Sequence, residues 1–190
     1  MGLDIRIDAD ISNIDSEDYI NEIDKYFYLH SLSRTFFNLI LSRETSDNES
    51  ELHQIGRITD IDIEPIYAMT LYPDEENLEY ELDNAETEDE RQSILKDAED
   101  SKKFLTGNID TVLDVIKQLI DKLSRIDDLA SLLLPTEYDV LNSKKYFSSF
   151  NIDTGNGYID NNFGQDLRNF QRHLEFCMQY GIQTVWFAYS

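Results

Sequence analysis

Carboxylates recur at every second residue at two places in the first half of the chain, and such spacing can hold a divalent cation. Asp60, Asp62 and Glu64 would share one side of an extended segment, and Asp8 and Asp10 repeat the spacing. Clustered carboxylates can bind magnesium for phosphoryl transfer, but such sites usually also need bases that bind the substrate. Because this half of the chain has few bases, a solvated strand face is favoured over a metal-dependent enzyme.

Other residue types that carry out catalysis are sparse. His30, His53 and His173 are far apart in the chain, and none belongs to a metal-binding motif such as His-Glu-x-x-His. Cys177 lies on the apolar stripe of a predicted helix, where a buried thiol is favoured over a nucleophile. The chain also lacks a Gly-x-Ser-x-Gly elbow, a Walker loop and a dinucleotide fingerprint. The sequence therefore predicts no catalytic residue, no metal and no cofactor.

The strongest chemical signal is an acidic stretch from residue 74 to residue 100. It contains 13 acids and only Arg91 and Lys96 as bases. Charge runs are usually solvated surfaces or flexible tails, but so many carboxylates repel one another, which favours a functional surface as the competing interpretation. The residues predicted to bind a partner are Asp74, Glu75, Glu76, Glu79, Glu81, Asp83, Glu86, Glu88, Asp89 and Glu90.

The net charge of −23 is concentrated in the first half of the chain. Residues 1–100 hold 28 acids and 7 bases, whereas residues 101–190 hold 11 acids and 9 bases. Such a surface repels nucleic acid phosphates and anionic lipids and speeds encounter with basic proteins. The predicted partner is a basic protein, for example a nuclease or another nucleic-acid-binding protein, with no direct nucleic acid contact and no membrane.

The length of 190 residues fits a single domain over 1–190, with the acidic segment 74–100 as part of it. One cysteine allows no internal disulfide. No apolar run approaches the ~20 residues that span a bilayer, and the acidic start does not resemble a signal peptide. These features predict a soluble, cytoplasmic protein.

One helix is expected to organise the core, over residues 108–134. Its apolar residues recur at spacings of three and four, while acids and bases fill the opposite side, and Asn108 and Pro135 mark its ends. The other predicted helices cover residues 31–43, 52–58 and 165–180, with one or two more in the acidic segment, broken near residues 86–89 and carrying a thin apolar stripe: Leu78, Leu82, Ala85, Ile94, Leu95 and Ala98.

Strands are predicted at both ends of the chain. Residues 3–9 alternate between apolar and polar, and residues 182–189 are apolar on both faces, so the two are plausible neighbours in a sheet. Further strands are expected at residues 26–29 and 61–63, and a hairpin at residues 146–152 and 158–163. The fold class is α+β, with a small, mainly antiparallel sheet packed against several helices.

Four short motifs resemble a family of small, uncharacterised phage and prophage proteins that begin with Met-Gly-Leu-Asp. They are Met1 to Asp4, an aromatic segment that leads into a helix from Tyr28, Leu133 to Thr136 after a long helix, and an aromatic hairpin followed by a helix. The resemblance implies an origin on a mobile element. It implies no activity and no site residue.

The leading hypothesis is a non-enzymatic inhibitor whose acidic surface mimics nucleic acid and occupies the basic cleft of a nucleic-acid-handling protein. A phage counter-defence protein and a toxin-immunity protein would both fit. The alternatives are a metal-dependent enzyme that uses the clustered carboxylates and a structural or assembly subunit that forms a homo-oligomer.

Overall fold

Helices and two terminal strands make up the computed structural model, which describes residues 5–12, 14, 16–45, 49–134, 145–155 and 162–189. Short 3₁₀ turns lie at Met69–Leu71 and Leu129–Ser131. The elements in chain order are β1 (Ile5–Ala9), α1 (Ser16–His30), α2 (Arg34–Thr45), α3 (Glu51–Thr59), α4 (Glu64–Ala68), α5 (Glu75–Asn84), α6 (Glu88–Leu105), α7 (Ile109–Leu123), α8 (Phe163–Gln179) and β2 (Val185–Tyr189).

The two ends of the chain meet in an antiparallel sheet of β1 and β2, which confirms the predicted α+β class and the pairing of the terminal strands. Ile7 lies opposite Phe187, and both are buried. The alternate pair, Asp8 opposite Trp186, lies on the other face of the sheet. One face of the sheet therefore covers the core, and the other is open to neighbouring segments.

Helix α7 packs against α8 at the centre of the molecule. The predicted stripe is confirmed, because Val112, Ile116 and Leu119 are fully buried. The helix ends at Leu123, however, and not at residue 134 as predicted. Residues 124 and 125 form a turn after it, and Asp128 accepts a hydrogen bond from the Ser131 backbone in the following 3₁₀ turn.

The predicted strand at residues 26–29 is wrong, because α1 runs through it to His30. Tyr19 and Tyr26 are seven residues apart and therefore share one helical face. The Tyr26 ring stacks on Phe176 of α8 with centroids 4.3 Å apart, and Tyr19 lies 5.7 Å from the same ring. Contact with α8 thus favours helix in a segment whose composition resembles a strand.

The predicted edge strand at residues 61–63 is also wrong. Asp60 ends α3 in the left-handed conformation, and the Ile61 N–H donates to the Gly56 carbonyl at 2.9 Å, so the chain folds back along α3. A Cβ at Gly56 would lie 3.0 Å from the Ile61 carbonyl oxygen. The glycine inside α3 is explained by this close approach, and the predicted helix 52–58 is confirmed.

The first half of the predicted hairpin, residues 146–152, forms turns and no strand. Tyr146, Phe147 and Phe150 are buried around the ring of Phe163, which begins α8. Residues 156–161, most of the predicted second strand, lie outside the described residues, as does Pro135. None of the described helices is both long enough and apolar enough to span a bilayer.

Candidate protein-binding surface

The acidic segment folds into two capped helices, the larger of the two numbers that the sequence left open. Asp74 accepts a hydrogen bond from the Asn77 N–H at 3.0 Å at the start of α5. Thr87 accepts one from the Glu90 N–H at 3.2 Å at the start of α6, and the Glu90 carboxylate accepts one from the Glu86 N–H at 2.9 Å. These bonds resemble a capping box, except that Glu90 accepts from the residue before the cap, and they fix the break between the helices. We call residues 74–105, which comprise the N-cap Asp74, α5, α6 and their connection, the acidic hairpin.

The acidic hairpin contacts the rest of the described protein mainly at its base. No residue of α5 is buried, and Leu105 is the buried residue of α6. Helices α5 and α6 contact each other. Their predicted apolar stripe is half-buried at Leu78, Leu82, Ala85, Ile94 and Ala98, whereas Leu95 is exposed. The apolar stripes of α5 and α6 are therefore narrow and pack against each other, and the acidic residues of both helices face the solvent.

All ten predicted partner-binding carboxylates are exposed on this hairpin. Within the described part of the chain, none of them forms an ion pair with a lysine or an arginine. The ion pair in the hairpin joins Lys103 to Asp100 at 3.8 Å, near the base. The hydrogen bonds to Asp74 and Glu90 come from neutral N–H groups and leave the negative charge in place. The structure therefore brings the ten residues together without neutralising them.

The charge density of the acidic hairpin is comparable with that of a nucleic acid strand. Residues 74–105 carry 13 acids and four bases, a net charge of −9. Helix α6 has 18 residues and is therefore about 27 Å long, so the hairpin carries about one net charge per 3 Å. One DNA strand carries about one charge per 3.4 Å of the helix axis.

An aromatic stack and several hydrogen bonds attach the base of the hairpin to β2. The ring of Tyr72 lies parallel to Trp186, with centroids 3.8 Å apart. The Lys102 ammonium lies 5.8 Å from the centre of the Tyr72 ring. The Asn108 side chain donates to the Val185 carbonyl at 2.8 Å and accepts from its N–H at 3.0 Å. The acidic hairpin is thus held at a defined position on the sheet.

The carboxylates considered for a metal site have other roles. The Asp62 carboxylate accepts a hydrogen bond from the Glu64 N–H at 3.0 Å, and Asp60 ends α3, so the two do not line an extended strand. Asp8 pairs with Arg6 at 3.1 Å, and Asp10 accepts from the Ser12 N–H at 3.0 Å. Among the described residues, no three His, Cys, Asp or Glu side chains are grouped as metal ligands.

A chain of contacts that is not evident from the sequence joins a serine, a histidine and a glutamate. The Ser50 hydroxyl lies 2.9 Å from His53 Nδ1, and His53 Nε2 lies 3.3 Å from Glu64. The same hydroxyl lies 2.7 Å from the hydroxyl of Tyr67 and accepts from the His53 N–H. Ser50 is only 2% exposed, so a substrate cannot reach it, and these contacts cap α3. In the sequence, the spacing of three residues between Ser50 and His53 is the feature that could have indicated this contact.

The remaining candidates for chemistry are Cys177 and His173 on α8, which are buried, and His30 at the end of α1, which is half-buried. Cys177 is fully buried, and desolvation raises the pKa of its thiol to about 12, which suppresses the thiolate. Burial lowers the pKa of His173 to about 4 and also lowers the pKa of His30. Within the described residues, His173 Nε2 has no hydrogen-bond partner. Cys177 and His173 thus belong to the buried interior, as the apolar stripe predicted for Cys177, whereas His30 is half-buried.

The described surface therefore offers one feature that is both highly charged and spatially concentrated, the acidic hairpin. Comparisons with protein-family models, with curated proteins and with solved structures found no match for this chain.

Proposed function

We propose that this chain is a non-enzymatic inhibitor that binds the basic cleft of a nucleic-acid-handling protein through its acidic hairpin. A phage counter-defence protein or a toxin-immunity protein is the type of function we infer. The observation that carries the proposal is the exposure of ten carboxylates on one hairpin, without an ion pair to a base within the described residues.

Binding of the acidic hairpin to a basic cleft would gain free energy in the same way as binding of a nucleic acid. A basic cleft attracts phosphates because binding neutralises charge and releases bound counterions. The acidic hairpin offers a similar density of anionic oxygens on a capped helical scaffold, so less ordering is needed when it binds. Such complexes form rapidly and weaken as the salt concentration rises.

The proposal is tested by capture from a bacterial lysate on the immobilised chain at low salt, followed by elution with a salt gradient. We expect basic nucleic-acid-binding proteins to be retained and then released by salt. Neutralising Glu79, Glu81 and Asp83 as Glu79→Gln, Glu81→Gln and Asp83→Asn, here called the α5 charge variant, should weaken their retention.

A matched control separates the position of the charges from their number. Glu17, Asp18 and Asp24 are exposed acids on α1, and their amide replacements, here called the α1 charge variant, remove the same number of charges. We expect the α1 charge variant to retain the same proteins as the unmodified chain. Equal loss with both variants, or retention that the α5 charge variant leaves unchanged, would show that the acidic hairpin is not the binding surface.

A further inference from the structure

A cleft of about 710 Å³ lies between the outer face of the sheet and the start of the acidic hairpin. Ala188, a small residue on the face of β2 that turns away from the core, lies along it. The stacked rings of Trp186 and Tyr72 form one wall. The acidic residues that line the cleft are Asp8, Asp74, Glu75 and Glu76. The cleft thus combines flat aromatic surface with several carboxylates.

The charge of this cleft is negative after its own ion pair is counted. Arg6 lines the cleft but pairs with Asp8 at 3.1 Å. Asp74, Glu75 and Glu76 form no ion pair among the described residues, and all three are exposed. Three negative charges therefore remain beside the aromatic wall, which complements a cation that has a flat or apolar body.

The aromatic wall already has a cation of the chain next to it. The Lys102 ammonium lies 5.8 Å from the centre of the Tyr72 ring, within the range of cation–π attraction. Tryptophan is the aromatic side chain that attracts cations best, and Trp186 is only half-buried. A cation that enters the cleft would therefore also be attracted to these aromatic rings.

We propose that this cleft receives an arginine side chain from an extended segment of the partner protein. This inference rests on the proposed function and deepens it, because it places a specific anchor at the base of the acidic hairpin. A guanidinium stacks on an aromatic face and directs several N–H donors in one plane, whereas a lysine ammonium is a compact, strongly hydrated point charge. Glu75 and Glu76 would accept its hydrogen bonds.

Trp186 is the single tryptophan of the chain, so its fluorescence reports directly on the cleft. We would titrate the chain with two acetylated and amidated peptides, (Gly-Arg)₄ and (Gly-Lys)₄, which have equal charge. The expected result is a saturable change in Trp186 emission, with the arginine peptide bound about fivefold more tightly, on the order of one stacking contact.

Two variants separate entry into the cleft from general attraction. Ala188→Ile adds bulk in the cleft without changing charge and suits a strand, so we expect the preference for arginine to disappear. If this variant does not fold, Glu75→Gln with Glu76→Gln serves instead and should also remove the preference. The three residues changed in the α5 charge variant do not line the cleft, so this variant should lower the affinity for both peptides by the same factor.

Equal affinity for the arginine peptide, the lysine peptide and spermine would overturn the inference, since it would show general attraction of polycations. An unchanged preference for arginine in Ala188→Ile would also overturn it. If these peptide titrations fail but the immobilised chain still captures basic proteins in a salt-sensitive way, the inference about the cleft is wrong and the proposed function stands. If the immobilised chain captures no basic protein, the proposed function is contradicted, whatever the peptides show.

Discussion

At the scale of single residues, Asp166 near the start of α8 is a buried acid that joins several parts of the chain. It is fully buried, and it accepts hydrogen bonds from the Ser33 N–H at 2.9 Å and the Ser33 hydroxyl at 2.6 Å. The Tyr146 hydroxyl donates to it at 2.8 Å. One carboxylate thus joins α8 to the start of α2 and to the turns before α8. The sequence predicted the helix but gave no sign that this acid would be buried.

Replacing Asp166 with alanine should destabilise the protein by about 3 kcal/mol or more, because several buried donors would lose their acceptor. Unfolding in urea, followed by circular dichroism, measures this loss. Asp127→Ala removes an exposed acid and should change the free energy of unfolding by no more than about 0.5 kcal/mol. Equal effects of the two substitutions would show that the buried contacts contribute little.

His173 should make stability depend on pH. Its pKa is about 4 in the folded protein, against an ordinary value of 6.5, because burial disfavours the charged ring. The neutral ring is compatible with folding above pH 6.5, and stability is lost as the pH falls towards 4 because the unfolded chain binds the proton more readily. His30, whose pKa is lowered too, acts in the same direction.

The substitution His173→Asn removes the titrating ring but keeps an N–H group that can donate to the backbone. Between pH 6.5 and pH 4, the free energy of unfolding of the unmodified chain should fall by about 3 kcal/mol more than that of the variant. Urea unfolding at several pH values provides the comparison. Parallel pH profiles would contradict the burial of a neutral His173.

At the scale of elements, long periodic segments were predictable and short aromatic ones were not. The apolar spacing of α7 predicted its buried residues, since one face of a helix repeats every three or four residues. Tyr26 to Leu29 is too short to show that period, and its helical structure is favoured by contacts with α8, among them the stack of Tyr26 on Phe176. The acidic residues of the hairpin were visible in the sequence, whereas the Tyr72 and Trp186 stack joins distant segments and was not.

Repulsion among its own carboxylates should lower the stability of the acidic hairpin. Glu81 and Asp83 lie near the C-terminus of α5, where the helix dipole disfavours negative charge and where no base lies in the last turn. We expect the α5 charge variant to melt at a higher temperature than the unmodified chain in low salt, with a smaller difference in about 0.5 M salt because screening weakens repulsion.

Thermal unfolding followed by circular dichroism tests this expectation. The α1 charge variant is the control, because Glu17 and Asp18 lie in the first turn of α1, where negative charge is favourable. That variant should not melt at a higher temperature. A lower melting temperature for the α5 charge variant at low salt would show that its carboxylates stabilise the fold instead of serving a partner.

At the scale of the whole molecule, the charge and the packing are divided between different parts of the chain. The described core is built from α2, α3 and α4 as well as from α7, α8 and the terminal sheet. The acidic hairpin, by contrast, has Leu105 as its buried residue and carries 13 of the 39 acids. It is attached to β2 at its base, through the stack of Tyr72 on Trp186 and the hydrogen bonds of Asn108 to Val185. The molecule therefore holds an anionic surface in place at a cost in self-repulsion.

Competition with nucleic acid tests the central claim most directly. A basic protein captured by the chain would be mixed with a fluorescent duplex oligonucleotide, and the fluorescence anisotropy would be followed as unlabelled chain is added. The account predicts that the chain displaces the duplex completely, and that the α5 charge variant needs a higher concentration to do so. A stable complex that contains the basic protein, the duplex and the chain together would contradict the account.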